Sequence, residues 1–244
     1  MATVAPSGLK PAQRYRADQV FFLRMAIGIC AVIVLGFIQW SARGFVDVSA
    51  VPIWVHLHGI VMIGWLALFV TQNALANSGA LALHRKLGWA GLGLALLIAP
   101  LSAYTGQMAV TLGRVPPIFS DPYFLALTHI EGIAFSATVL WAIALRRKTE
   151  WHRRLMLAAL VIIMEPALGR LLPMPLLGAW SEWTVMALQL AVLAIAMRHD
   201  QKFSGRVHPA LWWASAIVVA VHAAIVLSAL SPVVIAYATA LAAR

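Results

Sequence analysis

Hydrophobic positions along the chain fall into long runs that short polar segments separate. Each run is about as long as the roughly 20 apolar residues that a helix needs to cross the hydrocarbon layer of a bilayer. The runs predict seven transmembrane helices, at Val20–Gln39, Pro52–Asn73, Leu87–Val110, Tyr123–Leu145, Leu155–Leu172, Trp180–Met197 and Pro209–Leu230. A shorter apolar tail, Val233–Ala243, either extends the last helix or lies along the surface, and Pro232 is the expected break. The pattern predicts an all-α, polytopic membrane helix bundle.

Composition favours a membrane environment over a water-soluble fold. Of the 244 residues, 62% are hydrophobic and 11% are charged, which is more apolar than a soluble domain of this length needs. We expect residues 1–19 to form a basic cytoplasmic arm and residues 20–244 to form a single transmembrane domain. The first run is longer than the core of a usual signal peptide and no A-x-A site follows it, so we expect an uncleaved helix.

Basic residues orient the predicted bundle. The formal net charge of +10 is compatible with nucleic-acid binding, but the basic residues concentrate on one side of the alternating loops. Fourteen of the 18 lie on that side, namely Lys10, Arg14, Arg16, Arg24, Arg85, Lys86, Arg146, Arg147, Lys148, Arg153, Arg154, Arg198, Lys202 and Arg206. Because basic loops stay in the cytoplasm, we expect the N-terminus inside and the C-terminus outside, with no nucleic-acid partner.

Two pairs of short motifs repeat along the chain. The second predicted helix opens with HLHGI, His56–Ile60, and the fourth opens with HIEGI, His129–Ile133. The third and fifth helices begin with HRKLGW, His84–Trp89, and HRRLML, His152–Leu157. Such a pattern is typical of a parallel repeat of helical hairpins that an axis along the membrane normal relates. The histidines of the two hairpins are then expected at matching depths.

Paired histidines on alternate helices make a haem site attractive. Imidazole nitrogen is a common axial ligand of haem iron, and helix bundles hold such cofactors between facing helices. His58 and His129 are expected about 8–10 Å inside the apolar layer, where they are the lead candidates to ligate the metal of a b-type haem. His84 and His152, at the cytoplasmic boundary, are the candidates for a second haem. The alternative is that each histidine only holds helices together.

Further ionisable residues are expected in the outer half of the bundle. Charged groups in hydrocarbon are costly and often mark proton relays. The candidates for such a relay are Glu131, Glu165, Arg170 and His222. Glu165 and Arg170 lie on one helix with Pro166 between them, which leaves two interpretations open. They form either a structural ion pair or part of a relay or quinone contact.

Four segments carry a resemblance to a known family. HLHGIVMIGW, LHRKLGWAG, WHRRLMLAAL and EPALGR resemble an uncharacterised family of bacterial multi-pass membrane proteins, catalogued as domain of unknown function 2306. The resemblance covers roughly residues 52–215. It implies a multi-pass protein of the bacterial cytoplasmic (inner) membrane and no established activity.

A fainter similarity is to the di-haem b-type transmembrane cytochromes. In those proteins a histidine followed four residues later by methionine opens one helix, as His58 and Met62 do in this chain. Paired histidines on alternate helices ligate two haems there. The similarity implies His58 with His129 for one haem and His84 with His152 for the other.

The lead hypothesis is therefore a haem-binding protein that transfers electrons across the membrane. One rival is a proton-coupled transporter that needs no cofactor and uses the candidate relay. Another is an accessory or assembly protein of a respiratory complex, so that quinone or such a complex joins the lipid bilayer among the expected partners. The sequence contains no phosphate-binding glycine loop and no hydrolase signature, which gives soluble-enzyme chemistry little support.

Overall fold

The computed structural model describes the backbone of residues 11–244 and the side chains of residues 17–244. Every regular element in this range is helical. The helices are α1 (Pro11–Ala42), α2 (Ile53–Ser78), α3 (Leu81–Thr111), α4 (Asp121–Ala144), α5 (Thr149–Ile162), α6 (Glu165–Leu171), α7 (Met174–Leu177), α8 (Ser181–Ser204), α9 (Pro209–Ala229) and α10 (Pro232–Ala242). Two short 3₁₀ helices lie at Val48–Ala50 and Gly178–Trp180. The predicted all-α class is confirmed.

Six helical segments are long and apolar enough to cross a membrane. They are Ala17–Ala42 in α1, the stretch Met174–Ser204, which contains α7 and α8, and the whole of α2, α3, α4 and α9. Large apolar side chains such as Ile27, Ile63 and Leu227 are exposed on the outward faces of these helices. Helices that are apolar outside as well as inside are typical of a bundle in lipid. The chain is an integral, multi-pass membrane protein.

The fifth predicted span, Leu155–Leu172, is not a single long helix. The chain turns at Ile163–Met164, which divides this stretch into α5 and α6. Neither piece alone reaches the length of roughly 20 residues that a crossing requires. Pro166 explains the break, since its ring has no N–H to donate to the carbonyl of Ile162 four residues earlier.

Together α5 and α6 form a broken helix at the centre of the bundle. Leu155, Leu160 and Ala167 are almost fully buried, because α1, α4, α8 and α9 surround this segment. The carbonyl of Ile162 is satisfied from a neighbouring helix, since the side-chain amide of Gln189 in α8 donates to it at 3.1 Å. A buried carbonyl without such a donor would cost free energy.

Contacts along the broken helix define two ends of the molecule. We call the end with the turns at residues 79–80, 145–148 and 205–208 the basic end, because most of the basic loops lie there. His152 near the start of α5 bonds to the carbonyl of Ala142 at this end. At the opposite end, the carbonyl of Arg170 accepts a hydrogen bond from Gln39 near the end of α1, at 2.7 Å. The segment α5–α6 therefore runs the length of the bundle.

Buried ion pairs join three helices at the basic end. Asp18 of α1 pairs with Arg153 of α5 and accepts a hydrogen bond from His199 of α8 at 2.8 Å. Arg154 pairs with Asp200 of α8, whose side chain is completely buried. Since charges are buried in pairs here, removing one partner would leave the other unpaired.

Glycine permits close helix contacts elsewhere. A Cβ atom on Gly36 of α1 would lie 2.8 Å from the backbone oxygen of Ala167 in α6. On Gly106 of α3, it would lie 2.9 Å from the Cβ atom of Thr128 in α4. These pairs of helices approach closely only because no side chain stands between them.

The two chain termini depart from a simple bundle. The helix α1 begins at Pro11, so residues 11–19 of the predicted arm are helical, whereas residues 1–10 of that arm lie outside the described residues. The apolar tail forms α10, a separate helix after the break at Pro232. Ala238 and Leu241 of α10 pack with Val110 and Leu125 at the opposite end.

Candidate functional site

His84 and His152 come together at the basic end. They occupy the fourth position of α3 and of α5, and their ring centroids lie 6.5 Å apart with the ring planes at 90°. Each ring is held by the helix that precedes it in the chain. The Nδ1–H of His84 donates to the carbonyl of Gln72 at 3.2 Å, and that of His152 donates to the carbonyl of Ala142 at 2.8 Å.

These hydrogen bonds leave the Nε2 lone pair of both rings available. A neutral imidazole that donates through Nδ1 carries its free lone pair on Nε2. Among the described residues, no hydrogen bond is made by Nε2 of His84 or of His152. A backbone carbonyl behind a histidine is the usual arrangement for a metal-ligating imidazole, since it fixes the tautomer and the ring orientation.

Both histidines line a cavity of about 580 Å³ between α1, α2, α3, α4 and α5. A volume of this size is in the range of cofactor and small-molecule sites. Trp65, Phe69 and Met156 contribute apolar side chains to the lining of the cavity. Gly88 and Gly91 line its α3 side, where no side chain occupies the space. The cavity combines apolar side chains with two imidazoles whose ring centroids lie 6.5 Å apart.

The mouth of the cavity is basic. Arg85 of α3, Arg146 and Arg147 of the α4–α5 turn, and Arg153 of α5 all contribute to its lining. Both polar atoms of the Gln72 side chain are buried in its wall without a hydrogen-bond partner. Buried polar atoms are normally satisfied, so Gln72 indicates a polar group that the cavity accommodates.

Haem fits this set of residues. With ring centroids 6.5 Å apart, His84 and His152 would be close enough to hold one metal ion between them, since a metal–nitrogen bond is about 2 Å long. A haem iron needs only two axial protein ligands, and no group of three or more metal-ligating side chains occurs among the described residues. Arg85, Arg146 and Arg147 at the mouth are suited to the carboxylates of a haem, whereas Arg153 is already paired with Asp18.

His58 and His129 are arranged differently. Both ring nitrogens of His129 have partners, since Nδ1 donates to the carbonyl of Leu125 at 2.8 Å and Nε2 accepts from Gln107 at 3.1 Å. His58 has a buried Nδ1 without a partner. No hydrogen bond or ring contact joins His58 to His129 in the described part of the chain, so their role as a haem pair stays a prediction.

A second polar cluster lies at the opposite end, where four helices meet. The hydroxyl of Tyr123 in α4 donates to Glu182 of α8. The other carboxylate oxygen of Glu182 lies 2.7 Å from Nδ1 of His222 in α9, and Nε2 of that ring lies 2.7 Å from the side-chain oxygen of Gln189. The predicted relay residue His222 is therefore buried in a continuous chain of hydrogen bonds.

Glu165 and Arg170 do not form the ion pair that was one of the two interpretations. Both carboxylate oxygens of Glu165 are buried without a hydrogen-bond partner. The Arg170 guanidinium instead donates to the carbonyl of Pro166 at 2.6 Å and lies 4.3 Å from the ring centroid of Phe37. The two residues are five positions apart on α6, which places their side chains on different faces of the helix. Glu131, also buried, has one oxygen without a partner.

Three residues of this cluster escaped sequence-based prediction. Glu182 and Tyr123 lie in the first turns of α8 and α4, where polar residues are usually at the membrane surface. Gln189 carries no charge, so hydropathy alone does not single it out. Glu182 stands between Trp180 and Trp183, which indicated an interfacial belt and not a buried acid.

No family model, no curated protein and no solved structure matches this chain.

Proposed function

We propose that the protein is a membrane-embedded redox protein that binds one b-type haem between His84 and His152. The observation that carries this proposal is the 6.5 Å separation of two imidazoles, each held through Nδ1 by a backbone carbonyl, in one cavity. A role in holding helices together does not require both rings to lie in one cavity with Nε2 free of hydrogen bonds.

The chain itself supplies ligands, orientation and exclusion of water. Haem, when bound, supplies a one-electron carrier. Gln72 and Ala142 fix the two rings through their carbonyls. Trp65 and Phe69 give the interior an apolar wall, and the polarity of the surroundings is one of the factors that set the reduction potential of a haem.

The membrane topology is part of the proposal. We propose seven crossings, with the broken helix α5–α6 as the fifth, the basic end in the cytoplasm and the C-terminus outside. The contacts of α5–α6 with both ends of the bundle support this count. We also propose membership in the bacterial family that the segments HLHGIVMIGW, LHRKLGWAG, WHRRLMLAAL and EPALGR resemble, and hence the bacterial inner membrane. The equivalent carbonyl bonds of His84 and His152 support a repeat of hairpins.

Electron transfer across the whole bilayer would need a second carrier. His58 and His129 remain the candidates for it, and His129 would have to exchange its bond to Gln107 for a metal. Quinone or a respiratory complex is the class of partner that would supply or accept the electrons. A protein with the single haem at the basic end would exchange electrons on that side only.

Haem stoichiometry of the purified protein tests the proposal. We expect one haem per chain after expression with ample haem supply, and loss of that haem in His84→Ala and in His152→Ala. The matched variants His58→Ala and His129→Ala should keep it. Two haems per chain, of which one depends on His58 and His129, would establish the second site.

A chain without haem under these conditions would refute the proposal. The rival roles, a proton-coupled transporter or an accessory protein of a respiratory complex, would then gain support. They differ from each other in substrate flux through the purified protein and in co-purification with an oxidase.

A further inference from the structure

The cluster at the opposite end is buried, acidic and incompletely paired. Glu131, Glu165 and Glu182 are each at most 8% exposed. They belong to α4, α6 and α8, so three separate helices bring carboxylates into one region. The electrostatic influence of Glu165 reaches both other carboxylates, and that of Arg170 reaches Glu131 and Glu165.

The titratable groups around Glu165 lie on five helices. They are Tyr123 and Glu131 from α4, Arg170 from its own helix, Glu182 from α8, His222 from α9 and, beyond Arg170, His58 from α2. Three carboxylates and one guanidinium belong to this region. The side-chain amide of Gln189 donates to the carbonyl of Ile162, so its oxygen accepts a hydrogen bond from Nε2–H of His222. With all three carboxylates ionised, Nδ1–H of His222 must donate to Glu182 and the ring is a cation, which still leaves one negative charge uncompensated away from water.

An uncompensated buried charge is very costly in an apolar medium. Glu165 makes this cost acute, because it is 2% exposed and neither of its oxygens accepts a hydrogen bond. A bound proton removes the charge without requiring a cavity or additional ligands. The hydrogen bonds of Glu182 to Tyr123 and His222 show that the protein has built a polar path into the same region.

We propose that this cluster is a proton-binding site that exchanges protons with the water at the opposite end of the bundle. Glu165 is its most buried proton carrier, and Glu131 is a second carrier that interacts electrostatically with it. Tyr123 and Glu182, in the first turns of their helices, connect it with the surface, and His222 with Gln189 continues the chain inward. The site goes beyond the proposed haem, because it uses none of the cavity residues.

Infrared spectroscopy can observe the bound proton directly. The full-length protein in lipid nanodiscs would be perfused at alternating pH, and the difference spectrum recorded in the carboxylic C=O region. The chain contains only four glutamates, and Glu150 is the one outside the cluster. Labelling glutamate with ¹³C at the side-chain carboxyl in a Glu150→Gln background therefore restricts the label-sensitive bands to Glu131, Glu165 and Glu182.

We expect at least one C=O band that shifts with the ¹³C label and changes with pH. Glu165→Gln should remove one such band, and Glu131→Gln should alter the pH at which the remaining bands appear. Asp47→Asn, on an exposed loop, should leave the spectrum unchanged. If Glu165→Gln does not fold, the labelled Glu150→Gln protein still gives the answer.

Absence of any label-sensitive C=O band over the pH range in which the protein stays folded would overturn the proposal. So would a set of bands that neither Glu165→Gln nor Glu131→Gln changes. Both outcomes are independent of haem content, since the measurement works equally on protein that carries the His84→Ala substitution.

Discussion

Replacing Gly88 by leucine should weaken haem binding while leaving the protein folded. Gly88 lines the cavity on α3, four residues after His84. A Cβ atom at this position would find only Gln72 Nε2 within 4 Å, at 3.9 Å, so the backbone tolerates a side chain. The four added carbon atoms would project into the space that we assign to the cofactor.

The size of the effect follows from packing. Forcing extra methylene groups against a filled site typically costs about 1–3 kcal/mol. Since each 1.4 kcal/mol is a factor of ten, the dissociation constant should rise roughly 5- to 140-fold. Without haem, the same leucine partly fills a cavity and raises helix propensity, so the apo-protein should be at least as stable as the parent.

Gly93→Leu on the same helix is the matched control. Gly93 is exposed on the outward face and nothing lies within 4 Å of a Cβ atom there. Titration of apo-protein with haemin would compare the three proteins, and tryptophan fluorescence during thermal unfolding would report stability. Equal haem affinity in Gly88→Leu, Gly93→Leu and the parent would refute the assignment of the cavity.

Two further predictions concern the scaffold. Arg154→Met leaves the buried Asp200 carboxylate without its ion-pair partner. It should lower the free energy of unfolding by about 3–5 kcal/mol, measured by titration with a denaturing detergent. The added substitution Asp200→Leu should recover most of this loss. Gly36→Ala places a methyl group against the backbone of α6 and should lower the free energy of unfolding by about 1–3 kcal/mol. Gly28→Ala has open space around the added methyl group and should leave the free energy of unfolding unchanged in the same titration.

Hydropathy was sufficient to predict where most helices lie, but not how the central one is built. Six of the predicted crossings correspond to long apolar helices. The fifth run is apolar enough to cross, yet Pro166 divides it, and Gln189 from another helix supplies the missing hydrogen bond. The hydropathy of this run does not show that a side chain from a distant part of the sequence satisfies the carbonyl freed by the break.

The histidine pairs show what spacing leaves undecided. Depth along the helices favoured His58 with His129, because both were expected well inside the apolar layer. The structure instead brings His84 and His152 within 6.5 Å of each other, since α3 and α5 both begin beside the same cavity. Which face of each helix points inward depends on packing between helices, and the sequence of a single helix does not specify that packing.

The opposite-end cluster was predicted only in part for a similar reason. Glu165 and His222 stood out because they lie within apolar runs. Glu182 did not, because it is the second residue of α8 between exposed tryptophans, and only the helix that covers it makes it a buried acid. Burial at a helix start is a property of the assembled bundle.

Electron paramagnetic resonance of the oxidised, haem-loaded protein tests the central claim most directly. Two imidazole ligands with ring planes near 90° should give a low-spin ferric signal of large anisotropy, and the single substitutions His84→Ala and His152→Ala should each abolish this signal. The account would be contradicted if both substitutions left the low-spin signal intact, or if His58→Ala or His129→Ala abolished it instead.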